Sequence, residues 1–577
     1  MRWGALCAAS AALSLSAYSL DAAPYDSGTS GPSAVLLEAM GDELARTVER
    51  LRLEGLAEPY FVAQTVLESN TLELQGNFGA LERSREQTSR RLQVEVRVGA
   101  REFDDRHYIG NQTGNFRPLS AGLPVEDDYD VLRNEIWALS DRAYKRSLER
   151  LARKRVYRET RNIQDDIADL TQDPVQTFRE TQAVPPFDRD KWERVVREVS
   201  AVFRQFPDVQ VSGVSLTWRA QHLYLVDSEG RSSVKPAHRF DLAFNASGQA
   251  EDGMVQSSRR EMVWSALDQV PSLTQLKAEA EALARDVSSL ARARQIETYL
   301  GPVLLEQQAA GEFFNQLLAS GVSAPRRMWV EQKWAEQYFE AGALASRLGL
   351  RVIAPMFDVY DDPRLESWEN QPLSGYYQVD DQGIPAQRVD LVKQGILEDV
   401  LMSRSPTKER LKSNGHGRGA FSSPAAGSIG NLVVSASETV PFEKMKDMLR
   451  KEAKAFGLDY GLVVRRISRE RNQENDETLA APVMVYEVDV ETGEEELVRD
   501  ARFSAVTMRA LRDIIAASSE QHIFNLSKAG PYRGGAGRAS IVHPSVLLSE
   551  MELTETERKP TKPPYMSHPF FAGSGAK

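Results

Sequence analysis

Tyr299-Leu-Gly-Pro-Val-Leu-Leu-Glu-Gln-Gln-Ala-Ala-Gly-Glu-Phe-Phe314 is the stretch on which the reading of the fold turns. Its first half closes on the apolar run Val303, Leu304 and Leu305, which reads as the end of a strand. Its second half places Ala309, Ala310, Phe313 and Phe314, then Leu317 and Leu318, at the spacing that gathers apolar side chains on one helix face. The expected fold class is α+β (mixed α/β), with a second domain starting at Tyr299.

Toward the N-terminus the patterns alternate between strand and helix. Ser272 and Gln275 form a capping box, and Leu276, Ala280, Leu283, Val287 and Leu290 then keep helical spacing. Val214, Leu216 and Trp218 alternate, as do Phe240, Leu242 and Phe244, with the turn residues Asp227-Ser228-Glu229-Gly230 between them. Leu92, Val94, Val96 and Val98 alternate with Gln93, Glu95 and Arg97, as in a strand with one wet face. The two β-rich blocks echo one another faintly, so an internal duplication is a candidate. Leu36, Leu37, Met40, Leu44, Val48 and Leu51 mark an earlier helix. A long helix is expected over 129–158, with Trp137, Tyr144, Leu148 and Leu151 on its buried side. It carries Arg142, Lys145, Arg146, Arg150, Arg153, Lys154, Arg155 and Arg158 against Glu149 alone. Such a run either grips an acidic partner or is a solvated face.

Toward the C-terminus, strands are expected at 351–355, 432–434, 461–465 and 483–490, and helices at 441–456 and 503–519. Asp361-Asp362-Pro363 and Asp380-Asp381-Gln382-Gly383 read as turns, since adjacent Asp residues beside Pro or Gly favour them. The resulting division is a signal peptide over 1–23, a linker over 24–33 and a β-rich α/β region with flanking helices over 34–298. That region is read as one unit or as two, 34–163 and 190–298. A C-terminal domain over 299–553 and a disordered tail over 554–577 complete the chain.

Composition narrows the function classes. With 577 residues, 41% hydrophobic and 27% charged, the chain is an ordinary folded protein of more than one domain. Lys and Arg number 71 against 83 Asp and Glu, a net charge of −12, which disfavours a general nucleic-acid binder. Arg2, the uncharged Ala-, Leu- and Ser-rich stretch over 3–20, and Ala22 with Ala23 read as a cleavable signal peptide. The location expected is therefore periplasmic or secreted, with no stable membrane span; a retained anchor is the other reading. Cys7 is the sole cysteine and would leave with the signal. The mature chain then has no disulfide, thiolate nucleophile or sulfur metal ligand.

No motif for metal or nucleophilic catalysis stands out. None of His107, His222, His238, His416, His522, His543 and His568 has another histidine at helical ligand spacing. Gly427-Ser428-Ile429-Gly430 and Gly573-Ser574-Gly575 lack the spacing of a nucleophile elbow, and Gly534-Gly535-Ala536-Gly537 lacks the ending of a phosphate-binding loop.

Beyond these, the opening stretch resembles the TldD/PmbA family of metallopeptidase-related proteins, also described as modulators of DNA gyrase. Asp361-Asp362-Pro363, Tyr377-Gln-Val-Asp-Asp-Gln-Gly-Ile-Pro385, Lys393-Gln-Gly-Ile-Leu397 and Ser413-Asn-Gly-His-Gly-Arg418 support it in the same order. With the β-rich N-terminal half, the resemblance covers most of the mature chain. It implies a metallopeptidase-like C-terminal domain and, in active members, a His-Glu-x-x-x-His zinc motif completed by a cysteine. Here the motif positions hold Glu306, Gln307 and Gly311. Both histidines are missing, and an amide stands where the general base belongs. The resemblance therefore implies the subgroup without the zinc motif, with no catalytic residue, no metal ligand and no cofactor. The expected role is a non-catalytic subunit that binds a peptide or unfolded segment, or completes the cavity of a homo- or hetero-oligomer with a catalytic subunit. Asn414, His416 and Arg418, on a Gly-rich loop, are the candidates for peptide or partner contact; His416 alternatively bonds within its own loop. An active metallopeptidase with unconventional zinc ligands and a structural envelope protein are the alternatives.

Overall fold

The computed structural model describes residues 32–110, 118–180, 187–332, 344–419, 424–469, 479–504, 506–529, 537–556, 559–566 and 568–571. The proposed signal peptide, 24–31 of the linker, Gly534 to Ala536 and the Gly573 motif lie outside them. The chain is mixed α+β, with two large sheets.

The N-terminal sheet contains β1 (Pro59–Asn77), β2 (Ala80–Val98), β3 (Leu119–Leu123), β4 (Thr177–Arg179), β5 (Val211–Asp227), β6 (Ser232–Gln249) and β7 (Val255–Trp264). Their order is β3-β2-β1-β5-β6-β4, with β7 also on β6. The β1–β2 hairpin turns on two residues, Phe78 (φ 44°) and Gly79 (φ 82°), the doubly positive geometry that matches strand twist. Helices α1 (Ala34–Arg50) and α2 (Tyr129–Arg161) flank the first strand group; α3 (Arg189–Ser200) and α4 (Leu273–Arg292) flank the second. The same helix–strands–helix order thus occurs twice, and the halves meet where β1 and β5 pair antiparallel from Ala63↔Asp227 to Gly76↔Val214. The capping box of Ser272 and Gln275 is formed at the start of α4.

All four helices cover one sheet face. Even-numbered side chains such as Val62, Val66, Val94 and Val96 pack under α1 and α2, and Val214, Leu216, Phe240 and Phe244 under α3 and α4. The opposite face corrects one expectation. Gln93 and Arg97 are not wet but buried, lining a small cavity with Arg326 and Arg404 of the C-terminal half, and Arg97 pairs with Glu95 (2.6 Å) and Asp104 (3.1 Å). On α2, Tyr144 and Leu151 are buried as expected, while Trp137 is 47% exposed. The basic run also divides: Arg142, Lys145, Arg153 and Arg155 are exposed, but Arg150 and Lys154 point inward to Asp105 and Asp169. Neither an acidic partner nor water is needed for those two. Residues 146, 150, 154 and 158 share one stripe at four-residue spacing, which turns long cations toward the protein.

Among the described residues the C-terminal sheet has twelve strands. The strands that matter here are β8 (Tyr299–Leu305), β9 (Phe357–Asp361), β10 (Val389–Lys393), β11 (Asn431–Ala436), β12 (Tyr460–Ile467), β13 (Pro482–Asp489), β14 (Glu495–Arg499), β15 (Ala501–Ser504), β16 (Ile514–Ala529) and β17 (Gly537–Glu555). β8 lies between β17, antiparallel, and β12, parallel. Its alternate side chains serve two cores. Val303 and Leu305 meet α5 (Gln307–Phe313), and Leu304 meets α6 (Phe442–Phe456). The apolar stripe expected after β8 is formed: Ala309, Ala310, Phe313, Phe314, Leu317 and Leu318 are all fully buried.

Two expected elements differ. The strand placed at 351–355 lies at β9 instead, since Val352, Ile353 and Ala354 form a buried bend with only an isolated bridge from Arg351 to Ile396. The helix expected over 503–519 is β15, a single 3-10 turn (Met508–Arg512) and the start of β16. Apolar spacing there fits a helix, but the long edge of β17 offers a ladder from Ile514↔Leu548 onward, and pairing overrides local preference. Past residue 554, expected to be disordered, Thr561 donates its N–H to the Gly253 carbonyl (3.0 Å) and Phe570 packs on Phe78. Among the described residues no helix is long and apolar enough to cross a membrane.

Candidate functional site: the α5 cleft

The path from β8 into α5 sets the site. Glu306 occupies the helix N-cap position, and Gln307 follows in a left-handed conformation (φ 31°), with its N–H donated to the Ser545 hydroxyl (3.2 Å). Gln308 fastens both ends of its amide to the Ile467 backbone (2.9 and 3.0 Å). These residues line one wall of a cavity of about 1990 Å³. The opposite wall is the second half of the N-terminal sheet: Ser215, Thr217 and Arg219 of β5, Arg239, Asp241, Asn245 and Ser247 of β6, and every residue of β7.

The three motif positions are closed to a metal by their own surroundings. One Glu306 carboxylate oxygen accepts from Arg465 Nε (3.0 Å), and the other has Lys446 Nζ at 3.9 Å. Burial opposes the charge on Arg465, yet Glu306 and Glu495 outweigh it and hold the guanidinium above its ordinary range. Two cations on one carboxylate leave it poorly placed to take a dication. Gln307 offers a neutral amide. At Gly311 a Cβ would lie 2.7 Å from Phe524 Cγ and 2.9 Å from His543 Nε2, so any side chain there would force one of those rings to shift. The residues at these positions therefore do not suit the zinc that the sequence resemblance implies for active members. Among the described residues no three His, Cys, Asp or Glu side chains gather as a metal set.

Two groups next to the motif were not legible as site residues. Glu312 is buried, accepts from Asn315 (3.1 Å) and Gln316 (3.0 Å), and faces Arg469 at 3.3 Å. Burial pushes its pKa up. His543 reaches the same spot from β17, its Nδ1 bonded to the Pro544 carbonyl (3.0 Å). Burial lowers its pKa to about 4, so the ring is neutral. Only the sheet register brings it to Gly311, 232 positions away in sequence.

The loop candidates are placed elsewhere. His416 is fully buried, with Nδ1 on the Asn414 carbonyl (2.9 Å) and Nε2 on Asp361 Oδ1 (3.0 Å); it bonds within the protein. Asn414 spends its amide on the Val400 carbonyl and the Met402 N–H (both 2.8 Å). Arg418 donates to the Arg538 carbonyl (2.6 Å) and lies 4.8 Å from the Tyr377 ring centre. His416 and Asn414 are bonded to each other, and none of the three lines the cavity that Glu306 and Gln307 line. The acidic pairs act as turn builders. Asp380 accepts the N–H groups of Gln382, Ile384 and Gly417 (each 2.9 Å), and Asp362 accepts that of Arg364 (3.1 Å). His222 and His238, on adjacent strands, are both buried in the N-terminal half.

Comparison with known proteins bears on the fold. No curated relative matches the sequence. Solved structures that share the fold include the following three. A candidate modulator of a DNA gyrase from Thermotoga maritima is 14% identical, with a TM-score of 0.58 over 90% of this chain and 99% of that one. TldE from Thermococcus kodakarensis is 12% identical, with a TM-score of 0.55 over 89% and 100%. A candidate modulator of DNA gyrase from Bacteroides thetaiotaomicron is 11% identical, with a TM-score of 0.54 over 90% and 98%. The PmbA/TldA metallopeptidase C-terminal domain matches residues 298–555. Residues 298–555 of the chain thus belong to the PmbA/TldD family of metallopeptidase C-terminal domains.

Proposed function

We propose that this protein is an exported, non-catalytic member of its family, which holds an extended peptide in the large cavity or completes the cavity of a catalytic partner. The observation that carries the reading is the position of β7. All ten of its residues line the cavity, and among the described residues its outer edge pairs with no other strand. A free edge offers backbone donors and acceptors to an incoming strand, the usual way an extended peptide is held. Beside it, Glu306, Gln307 and Gly311 supply neither a metal set nor a base.

Strand addition is tested by photo-crosslinking. A photoreactive side chain at position 257, on β7, should capture an extended decapeptide, and one at exposed position 48 should not. Equal capture at both positions rejects the cavity. Native purification from an envelope fraction should recover a partner carrying His-Glu-x-x-x-His or a second copy of the chain. N-terminal sequencing of that material should begin after Ala23; a start at Met1 removes export from the reading.

A further inference from the structure

The polar face of β5–β7 has an uneven charge distribution, and the imbalance sits at one corner. Most arginines on the cavity wall are tied to carboxylates. Arg260 and Arg466 share Asp286 (3.0 and 2.9 Å), Arg469 joins Glu261 (2.6 Å), and Arg465 joins Glu306. Arg219 differs. It is half-buried and lines the cavity, and among the described residues it makes no hydrogen bond or ion pair. Its direct cross-strand partner is another cation, Arg239.

One carboxylate serves this corner. Asp241 takes Arg239 on one oxygen, while its other oxygen is buried without a hydrogen-bond partner. Arg219 and Asp241 are therefore not closed into a pair. A third guanidinium stands nearby: Arg538 donates to the His238 carbonyl (2.6 Å) and the Ser265 hydroxyl (2.8 Å) and has no ion-pair partner among the described residues. Burial, then Arg239 and Arg418, lowers its pKa to about 10; burial, then Arg239, also lowers that of Arg219. Glu73, across the β1–β5 ladder, is the remaining acid in electrostatic reach of Arg219. Around the corner, Ser215, Thr217 and Asn245 are small hydrogen-bonding residues that leave room above the sheet.

We propose that the Arg219–Arg239 corner is a carboxylate-binding subsite, where a bound peptide places either an acidic side chain or its C-terminal carboxylate. This rests on the peptide-holding function proposed above and names the class of peptide: one carrying a negative charge. A guanidinium without an internal partner, flanked by hydroxyl and amide donors in a half-buried site, is suited to a planar carboxylate accepting two parallel N–H groups.

The test uses the full mature chain and three fluorescent decapeptides of one neutral sequence, followed by anisotropy. The first ends in a free carboxylate, the second is amidated, and the third is amidated with a central Glu. The first or the third should bind at least about ten-fold tighter than the second, as expected for a charge-assisted hydrogen bond; which of the two does so identifies the carboxylate. Arg219→Gln should erase that gap, Arg219→Lys should keep part of it, and added salt should narrow it. If all three peptides bind alike, the subsite is overturned while peptide holding stands. If none binds, both are overturned.

Discussion

Both ends of one sheet face carry polar residues, and they differ in what answers them. Over β1 and β2, Gln93, Glu95 and Arg97 face a cavity of about 100 Å³ that is closed by charge. There Lys154 meets Asp169 at 2.7 Å, Arg326 meets Asp165 at 3.1 Å, and Arg404 meets Glu229 at 2.7 Å. Arg326 and Arg404 come from the C-terminal half, so these ion pairs clamp the two halves together. Over β5–β7 the same face opens on a cavity of about 1990 Å³, where, among the described residues, Arg219 has no partner and the outer edge of β7 pairs with no strand. The difference teaches that a polar sheet face is not a binding surface by composition. It becomes one only where its groups lack internal partners.

The largest effect expected from breaking this contrast lies at the closed end. Lys154→Ala takes from the buried Asp169 its nearest cation, leaving Arg326 at 3.4 Å, and should cost about 3 kcal/mol or more in chemical denaturation. Replacing both residues by apolar ones of similar volume should restore most of it, since the pair itself contributes little net stability.

Next is a pH effect on the α5 side. His543 has an ordinary pKa of 6.5 and about 4 in the folded chain, because burial disfavours its charge. The unfolded chain therefore binds the extra proton first as pH falls below 6.5. Stability is full above that value, declines toward pH 4, and loses about 3 kcal/mol from this group alone. His107, His222 and His522 are also lowered by burial and act in the same direction. His543→Gln should make the decline between pH 6.5 and 4 shallower; an unchanged slope would place a charged ring at that position.

Filling the motif position is a smaller perturbation. Gly311→Ala drives a methyl into Phe524 and His543, and should cost about 1–3 kcal/mol by overpacking. A triple exchange, Glu306→His, Gln307→Glu and Gly311→His, should not restore zinc binding for the same steric reason, as metal analysis would show. The smallest change belongs to the open end. Arg219→Gln should alter stability by no more than about 0.5 kcal/mol, because no internal partner is lost.

The sequence makes the scaffold largely legible, because periodicity reports burial. The stripes of α1, α5 and α6, the capping box of α4 and the strands around Leu92, Val214 and Phe240 were all readable from spacing. What escaped was the meaning of polar positions. Arg97 and Lys154 read as wet because their type is usually exposed, and only packing between the two halves buries them. Arg219 carried a signal that was passed over, namely the polar set Ser215, Thr217 and Arg219 opposite Val214, Leu216 and Trp218. His543 carried none, since strand register alone brings it to Gly311.

Incubating the purified chain with an extended peptide, with and without a chelator, and following the peptide by mass spectrometry alongside the zinc content of the protein tests the central claim most directly. The expected result is bound, intact peptide and far less than one zinc per chain. Peptide cleavage that vanishes with the chelator, together with stoichiometric zinc, would contradict it.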